Sequence, residues 1–387
     1  MSDSLINKGD IAQHAAAESI DRSAYLPATP WLQLMLVCCL FALWGMAGNL
    51  NDILIAQFKK GFDLSDTQTA LVQSIFFLGY FVMALPAAAV IKRYSYKVAI
   101  VIGLCLYALG CFLFIPAAQI MTYGAFLACL GVIATGLSFL ETSANTYSSL
   151  LGPLETSTQR INFSQIFNSL GIIFGVLIGQ QLVFGKNDPS HAELLQMPPA
   201  VAEAARTQMV SQVVTPYLII GSVLIVLALI FVAVKFPACK TQRSHQGAGK
   251  PLMQSLKILL ALPRFRLGVL SQFLYVGAQV GLWSFTIRFV QMIEQGATEH
   301  SATYWLLATL VCYSAGKVVT TALMKKFSPA RLLGVFCSVC VLLLLLAVNI
   351  QSLLAVVAIM GVNFCMALCW PTNFGLTIKG LGEETQV

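Results

Sequence analysis

Two carboxylates stand out because of where they fall. Asp52 ends the stretch Trp44-Gly-Met-Ala-Gly-Asn-Leu-Asn-Asp52, inside an apolar segment that begins near Pro30 and runs to Phe58, and Glu141 sits in the apolar run 120–150. The other acidic residues, of 16 in all, fall in segments read as loops or tails. An acid surrounded by hydrocarbon is costly, so it is read as a functional group facing a bundle interior or a water-filled cavity. Loss of water around a carboxyl group favours its neutral form. Asp52 and Glu141 are therefore candidate proton-coupling groups, the alternative being fixed hydrogen-bonding acids or an acid permanently paired with a base. Lys317 is the one base well inside an apolar segment. It requires a partner, and Asp52, Glu141, backbone carbonyls and cavity water are the candidates. Arg288 lies nearer a segment end, where snorkelling suffices.

The acids keep polar company at helical spacing. Asn49 and Asp52 are i, i+3, and Ser138, Glu141 and Asn145 share one helix face. Gln165 with Asn168, then Gln272, Tyr275, Gln279 and Trp283, then Asn363 and Trp370 form further polar faces, and Trp44 opens the first. Amides donate to and accept from hydroxyls, and an indole covers the apolar C–H face of a pyranose, so these faces suit a neutral polyol. The competing reading is that they knit helices together.

Long apolar helices must hold such side chains. The chain has 387 residues, 58% apolar and 10% charged, with mean hydropathy +0.79, which excludes a soluble globular domain. Segments of spanning length fall at about 31–58, 67–91, 97–117, 120–150, 161–184, 214–236, 265–291, 302–325, 331–350 and 352–379. The expectation is an all-α integral membrane bundle of ten helices, six plus four. Residues 1–30 read as a polar tail, 31–236 as a six-helix half, 237–264 as a basic linker and 265–387 as a four-helix half. In the external loop 185–213, residues 200–209 predict a short surface helix. A six-helix half followed by a long basic loop is the layout of major facilitator transporters, whose halves meet at a central cavity.

The net charge of +7 does not mark a nucleic-acid binder, because Lys and Arg cluster in alternate loops. The positive-inside rule then places both termini in the cytoplasm, with only Lys59, Lys60, Lys186 and Arg206 outside. The 11 cysteines lie mostly in apolar segments, and Cys337-x-x-Cys340 reads as packing rather than a metal or redox site. The four histidines, His14, His191, His245 and His300, lie in loops and leave none to relay protons in the membrane. Gly171, Gly175 and Gly179 form a small-residue stripe for close helix packing. No hydrolase or protease motif is present, so an enzyme is not expected; a proton-coupled exporter of amphiphiles and a non-transporting sugar sensor are the other classes.

These residues resemble the L-fucose:proton symporter family of the major facilitator superfamily, which includes related glucose and galactose transporters. The resemblance runs nearly end to end through Asn49-Leu-Asn-Asp-Ile-Leu54, Ser95-Tyr-Lys97, Leu140-Glu-Thr-Ser-Ala-Asn145, Phe167-Asn-Ser-Leu-Gly171, Tyr275-Val-Gly-Ala-Gln279, Trp283 with Arg288, Pro371-Thr372 and Lys379-Gly-Leu-Gly382. It implies a proton-driven permease for a neutral monosaccharide, L-fucose first, in which Asp52 and Glu141 take the places of the family's two membrane acids and Gln165 and Asn168 those of cavity polar residues. It further implies a multi-pass protein of the bacterial inner membrane, monomeric, with sugar, proton and lipid as partners and no cofactor, metal or nucleic acid. Two departures are Lys317, where the fucose permeases tend to have Arg, and Trp370, which replaces a Tyr. A third is that the family continues through two further helices, so the expectation is ten of twelve.

Overall fold

The computed structural model describes residues 24–178, 193, 196–239, 252–294, 299–379 and 381. Asn49 and Asp52 lie in described helical backbone, but their side chains are outside the described set, as are Gly179 and the histidines at 14, 191, 245 and 300. The helices in chain order are α1 (Trp31–Gly61), α2 (Asp66–Arg93), α3 (Tyr96–Phe112), α4 (Phe114–Ile120), α5 (Tyr123–Leu150), α6 (Ser157–Ile178), α7 (Pro199–Gln212), α8 (Val214–Ala233), α9 (Leu252–Ala261), α10 (Pro263–Ile293), α11 (Glu299–Leu323), α12 (Pro329–Asn349), α13 (Leu353–Met366) and α14 (Cys369–Ile378).

Serines set several starts by satisfying orphan N–H groups. Ser65 and Gln68 form a reciprocal capping box at α2, Ser95 Oγ accepts from Val98 N at α3, and Ser328 precedes Pro329 at α12. Between α13 and α14 the cause is Pro371, which has no N–H to offer the Ala367 carbonyl four residues earlier, so the helix breaks at Ala367–Leu368.

Among the described residues eight helices are long and apolar enough to cross a membrane, or nine if the pair Met253–Ala261 and Pro263–Trp283, bent by 90°, is one span. Ten spans were expected. One difference is that α6 runs to the edge of the described residues; the other is the bend, whose first arm lies within the stretch read as a basic linker, 237–264. Leu252–Ala261 is a helix in its own right, burying Ser255 and Leu259 while leaving Met253 and Leu260 exposed, and Pro263 at the first position of α10 forces the break. The surface helix expected at 200–209 is present as α7.

One large core joins buried side chains from Ala24 to Cys239, with α5 packed against α2 and α3, α8 against α3, and α1 against α6. At the α1–α6 crossing, a Cβ on Gly171 would lie 1.9 Å from the Ala42 carbonyl oxygen, and one on Gly45 would lie 2.2 Å from that of Asn168. Only glycine permits that approach, which supports the packing reading of the small-residue stripe at Gly171. Smaller clusters join α10, α12 and α13, and the two groups of helices meet where α6 packs on α11 and α14.

Candidate substrate and proton site

The site assembles from faces of seven helices. On α5, Asn145 Nδ2 donates to the Glu141 carbonyl at 3.0 Å, and Asn145 Oδ1 accepts from Gln165 Nε2 of α6 at 3.4 Å. The Gln165 carbonyl in turn accepts from Lys317 Nζ of α11 at 3.2 Å, and that nitrogen stands 4.8 Å from the Tyr313 ring centroid. Tyr313 meets Trp283 of α10 edge-on at 5.4 Å, and Trp283 Nε1 donates to Asn363 Oδ1 of α13 at 2.7 Å. Contacts thus run unbroken from α5 to α13 through side chains distant in sequence. Trp44 of α1 closes one side, 6.3 Å from Trp370 of α14, whose ring stacks on Phe374 at 5.4 Å.

Asn145, Gln165, Lys317 and Asn363 are buried, so each polar group must find a partner in protein or cavity water. Lys317 takes a backbone carbonyl, one of the four partners its position allowed. Glu141 is half-buried, and among the described residues no Lys or Arg nitrogen lies within 4.0 Å of its carboxylate. Among the described residues it is therefore not locked in an ion pair, and Tyr80 of α2 lies within its electrostatic reach.

Other predicted residues have different surroundings. Asn168 Nδ2 donates to the Phe41 carbonyl at 3.4 Å and ties α6 to α1, as the helix-knitting reading has it. Gln279 lies beside the Tyr313 hydroxyl, whereas both amide atoms of Gln272 are buried without a hydrogen-bond partner. Arg288 is exposed, its guanidinium carbon 5.7 Å from the Phe285 centroid. Two residues were missed: Tyr313, whose i, i+4 spacing to Lys317 was a usable signal, and Tyr80, an aromatic in an apolar run with nothing to mark it.

From Lys317 toward the end of the bundle that carries Lys92, Arg160 and Lys325, the two helix groups are joined repeatedly. Gln159 Nε2 donates to the Thr321 carbonyl at 3.4 Å, Asn162 Nδ2 to Thr372 Oγ1 at 3.2 Å, and Lys92 Nζ to Ser255 Oγ of α9. Arg160, also at this basic end, is buried and holds the last turn of α5: its Nε donates to the Ser148 carbonyl at 3.2 Å, Nη1 to that of Pro153 at 2.8 Å, and Nη2 to that of Ser149.

Residues 27–386 match the family model of the Major Facilitator Superfamily. The chain belongs to the major facilitator superfamily. It is 36% identical to the L-fucose-proton symporter of Escherichia coli K12 over 97% of this chain and 86% of that protein. It is 33% identical to the L-fucose-proton symporter of Haemophilus influenzae, over 91% of this chain and 82% of that one, and 33% identical to a glucose/galactose transporter of Brucella abortus, over 89% and 80%. Among solved structures, the superfamily transporter FucP in the outward conformation superposes with a TM-score of 0.84 at 39% identity, covering 92% of this chain and 86% of that one. The proton:xylose symporter XylE, at 13% identity and a TM-score of 0.56, shares the fold. This superfamily member is a multi-pass membrane protein and a transporter rather than an enzyme.

Proposed function

We propose that the chain imports a neutral monosaccharide, L-fucose, together with a proton by alternating access across a bacterial inner membrane, with the basic end and both termini in the cytoplasm. The observation that carries this reading is the contact path from the Glu141–Asn145 face through Gln165 and Lys317 to Trp283 and Asn363, spanning both helix groups inside the membrane. Its kinship with proteins named L-fucose-proton symporters supports the choice of solute.

In this reading residues 31–236 and 265–387 are the two halves that rock about the site, joined by 237–264. The amides of Asn49, Asn145, Gln165, Asn168, Gln272, Gln279 and Asn363 offer both donors and acceptors to sugar hydroxyls, and Trp44, Trp283 and Trp370 supply indole faces for the apolar side of the ring. Gln272, with neither amide atom partnered, is the group with most to gain from a ligand. Asp52 lies farther from the basic end along α1 than Trp44 does and takes the proton arriving from outside. Glu141, sharing a face with Asn145, makes sugar contacts depend on its charge. One proton moving inward yields ~2.3 kcal/mol per 100 mV and ~1.4 kcal/mol per pH unit, enough to concentrate sugar several hundred-fold at roughly 100 mV and one unit.

The test is uptake of labelled L-fucose, D-galactose and D-glucose into vesicles with and without an imposed pH gradient. Gradient-driven accumulation of L-fucose above the other two is expected. Uptake of none of them would favour a sensor, and preference for glucose or galactose would reassign the solute.

A further inference from the structure

Cys337-x-x-Cys340 and two further cysteines, Cys365 and Cys369, meet where α12 packs on the α13–α14 break, and the sugar site uses none of them. Cys337 Sγ lies 4.0 Å from Cys369 Sγ; Cys369 also donates to the Cys365 carbonyl at 3.9 Å, and Cys340 donates to the Val362 carbonyl at 3.7 Å. Cys337 is exposed while the other three are buried. Among the described residues no group of three or more His, Cys, Asp or Glu is arranged to hold a metal ion, so the chemistry here is that of a pair of thiols.

We propose that Cys337 and Cys369 form a dithiol site for an apolar, uncharged trivalent arsenical. A separation of 4.0 Å is about twice a disulfide bond length of ~2.05 Å, so a bridging atom fits between the sulfurs with less movement than a direct S–S bond requires. Sulfur ligands prefer soft, thiophilic centres. Cys337 shares an exposed, apolar face of α12 with Val341 and Leu345, so the reagent must be at home in hydrocarbon. An aryl arsenoxide meets both conditions. Its arsenic–oxygen bond is replaced by two arsenic–sulfur bonds, the two thiol protons leave with the oxide oxygen as one water, and arsenic stays trivalent, so no oxidant or reductant is consumed. Cys369 opens α14 directly before Trp370, the ring that meets Trp44 across the two helix groups. The bridge therefore ties α12 to the helix break beside that contact, within the second group.

The experiment treats the full chain in liposomes with phenylarsine oxide and maps adducts by mass spectrometry. Expected is one arsenical joining the α12 and α14 peptides, removed by 2,3-dimercaptopropanol but not by an equal excess of a monothiol, because two bonds from one molecule raise its effective concentration. Cys337→Ser is expected to lower that adduct at least tenfold with unchanged thermal stability, and Cys369→Ser to do the same. An adduct retained in both variants, or mapped to the adjacent Cys38 and Cys39, overturns the site. The adduct measurement is independent of which solute is carried.

Discussion

Replacing Lys317 by methionine tests whether the cross-group contact at the centre of the site governs which end of the transporter is closed. The Lys317 nitrogen has two partners: the Tyr313 ring, four residues away on the same helix, and the Gln165 carbonyl, 152 residues away on α6. The ring contact travels with α11 whichever way the halves tilt, so it cancels. Only the bond to Gln165 differs between states. A hydrogen bond from a charged donor contributes about 1.5–3 kcal/mol, and at ~1.4 kcal/mol per factor of ten its loss shifts the equilibrium away from the basic-end-closed state by roughly ten- to a hundredfold. Overall stability is the wrong measurement, because methionine also removes the cost of burying an ammonium and the two effects oppose each other. A photo-crosslinking amino acid at Gln159 reads the equilibrium directly, since that side chain reaches the Thr321 carbonyl at 3.4 Å in the closed state. Its crosslink to α11 should fall about tenfold or more in Lys317→Met. Equal crosslinking in parent and variant would refute the idea that this bond holds the end shut.

Glu141→Gln keeps the shape of the side chain but cannot change charge; sugar binding, followed by tryptophan fluorescence at a series of pH values, should persist and lose its pH dependence. Asp52→Asn should abolish accumulation driven by a pH gradient while leaving exchange of labelled for unlabelled sugar intact, and gradient-driven accumulation by this variant would remove Asp52 from the proton path. In Trp283→Phe the Asn363 oxygen loses its 2.7 Å donor in a buried site. An unpaired buried acceptor costs about 1–3 kcal/mol, so the melting temperature in detergent should fall by several degrees; an unchanged melting temperature would show that Asn363 has another donor. Arg160→Leu strips the carbonyls of Ser148, Ser149 and Pro153 of a shared donor at the end of α5; the melting temperature in detergent should drop by several degrees, with Arg160→Lys restoring only part because an ammonium cannot span three carbonyls as a planar fork does.

The sequence by itself determined which stretches cross the membrane and which faces of them are polar. Both follow from local rules: a spanning helix needs an apolar run of a given length, and residues three or four apart lie on one face whatever surrounds them. Asp52, Glu141 and Lys317 stood out as candidates because a charge in an apolar run is conspicuous, and Ser138, Glu141 and Asn145 could be read as one face because the helical period is fixed. What the tertiary structure decided is who meets whom. That Lys317 takes the Gln165 carbonyl rather than an acid depends on how far α6 sits from α11, and that Trp44 finds Trp370 on how far α1 sits from α14, distances that the crossing of α1 and α6 at Gly45 and Gly171 helps to set; that Tyr313 bridges Lys317 to Trp283 depends on how α11 packs on α10. The 90° turn from α9 into α10 was hidden for a related reason: its ten apolar and amphipathic residues sit among glycines, prolines and basic residues that read as linker, and only the packing of Ser255 and Leu259 onto the bundle gives them a helix to be part of. Periodicity along one chain carries no information about the distance between two helices, because that distance is fixed by side chains on both.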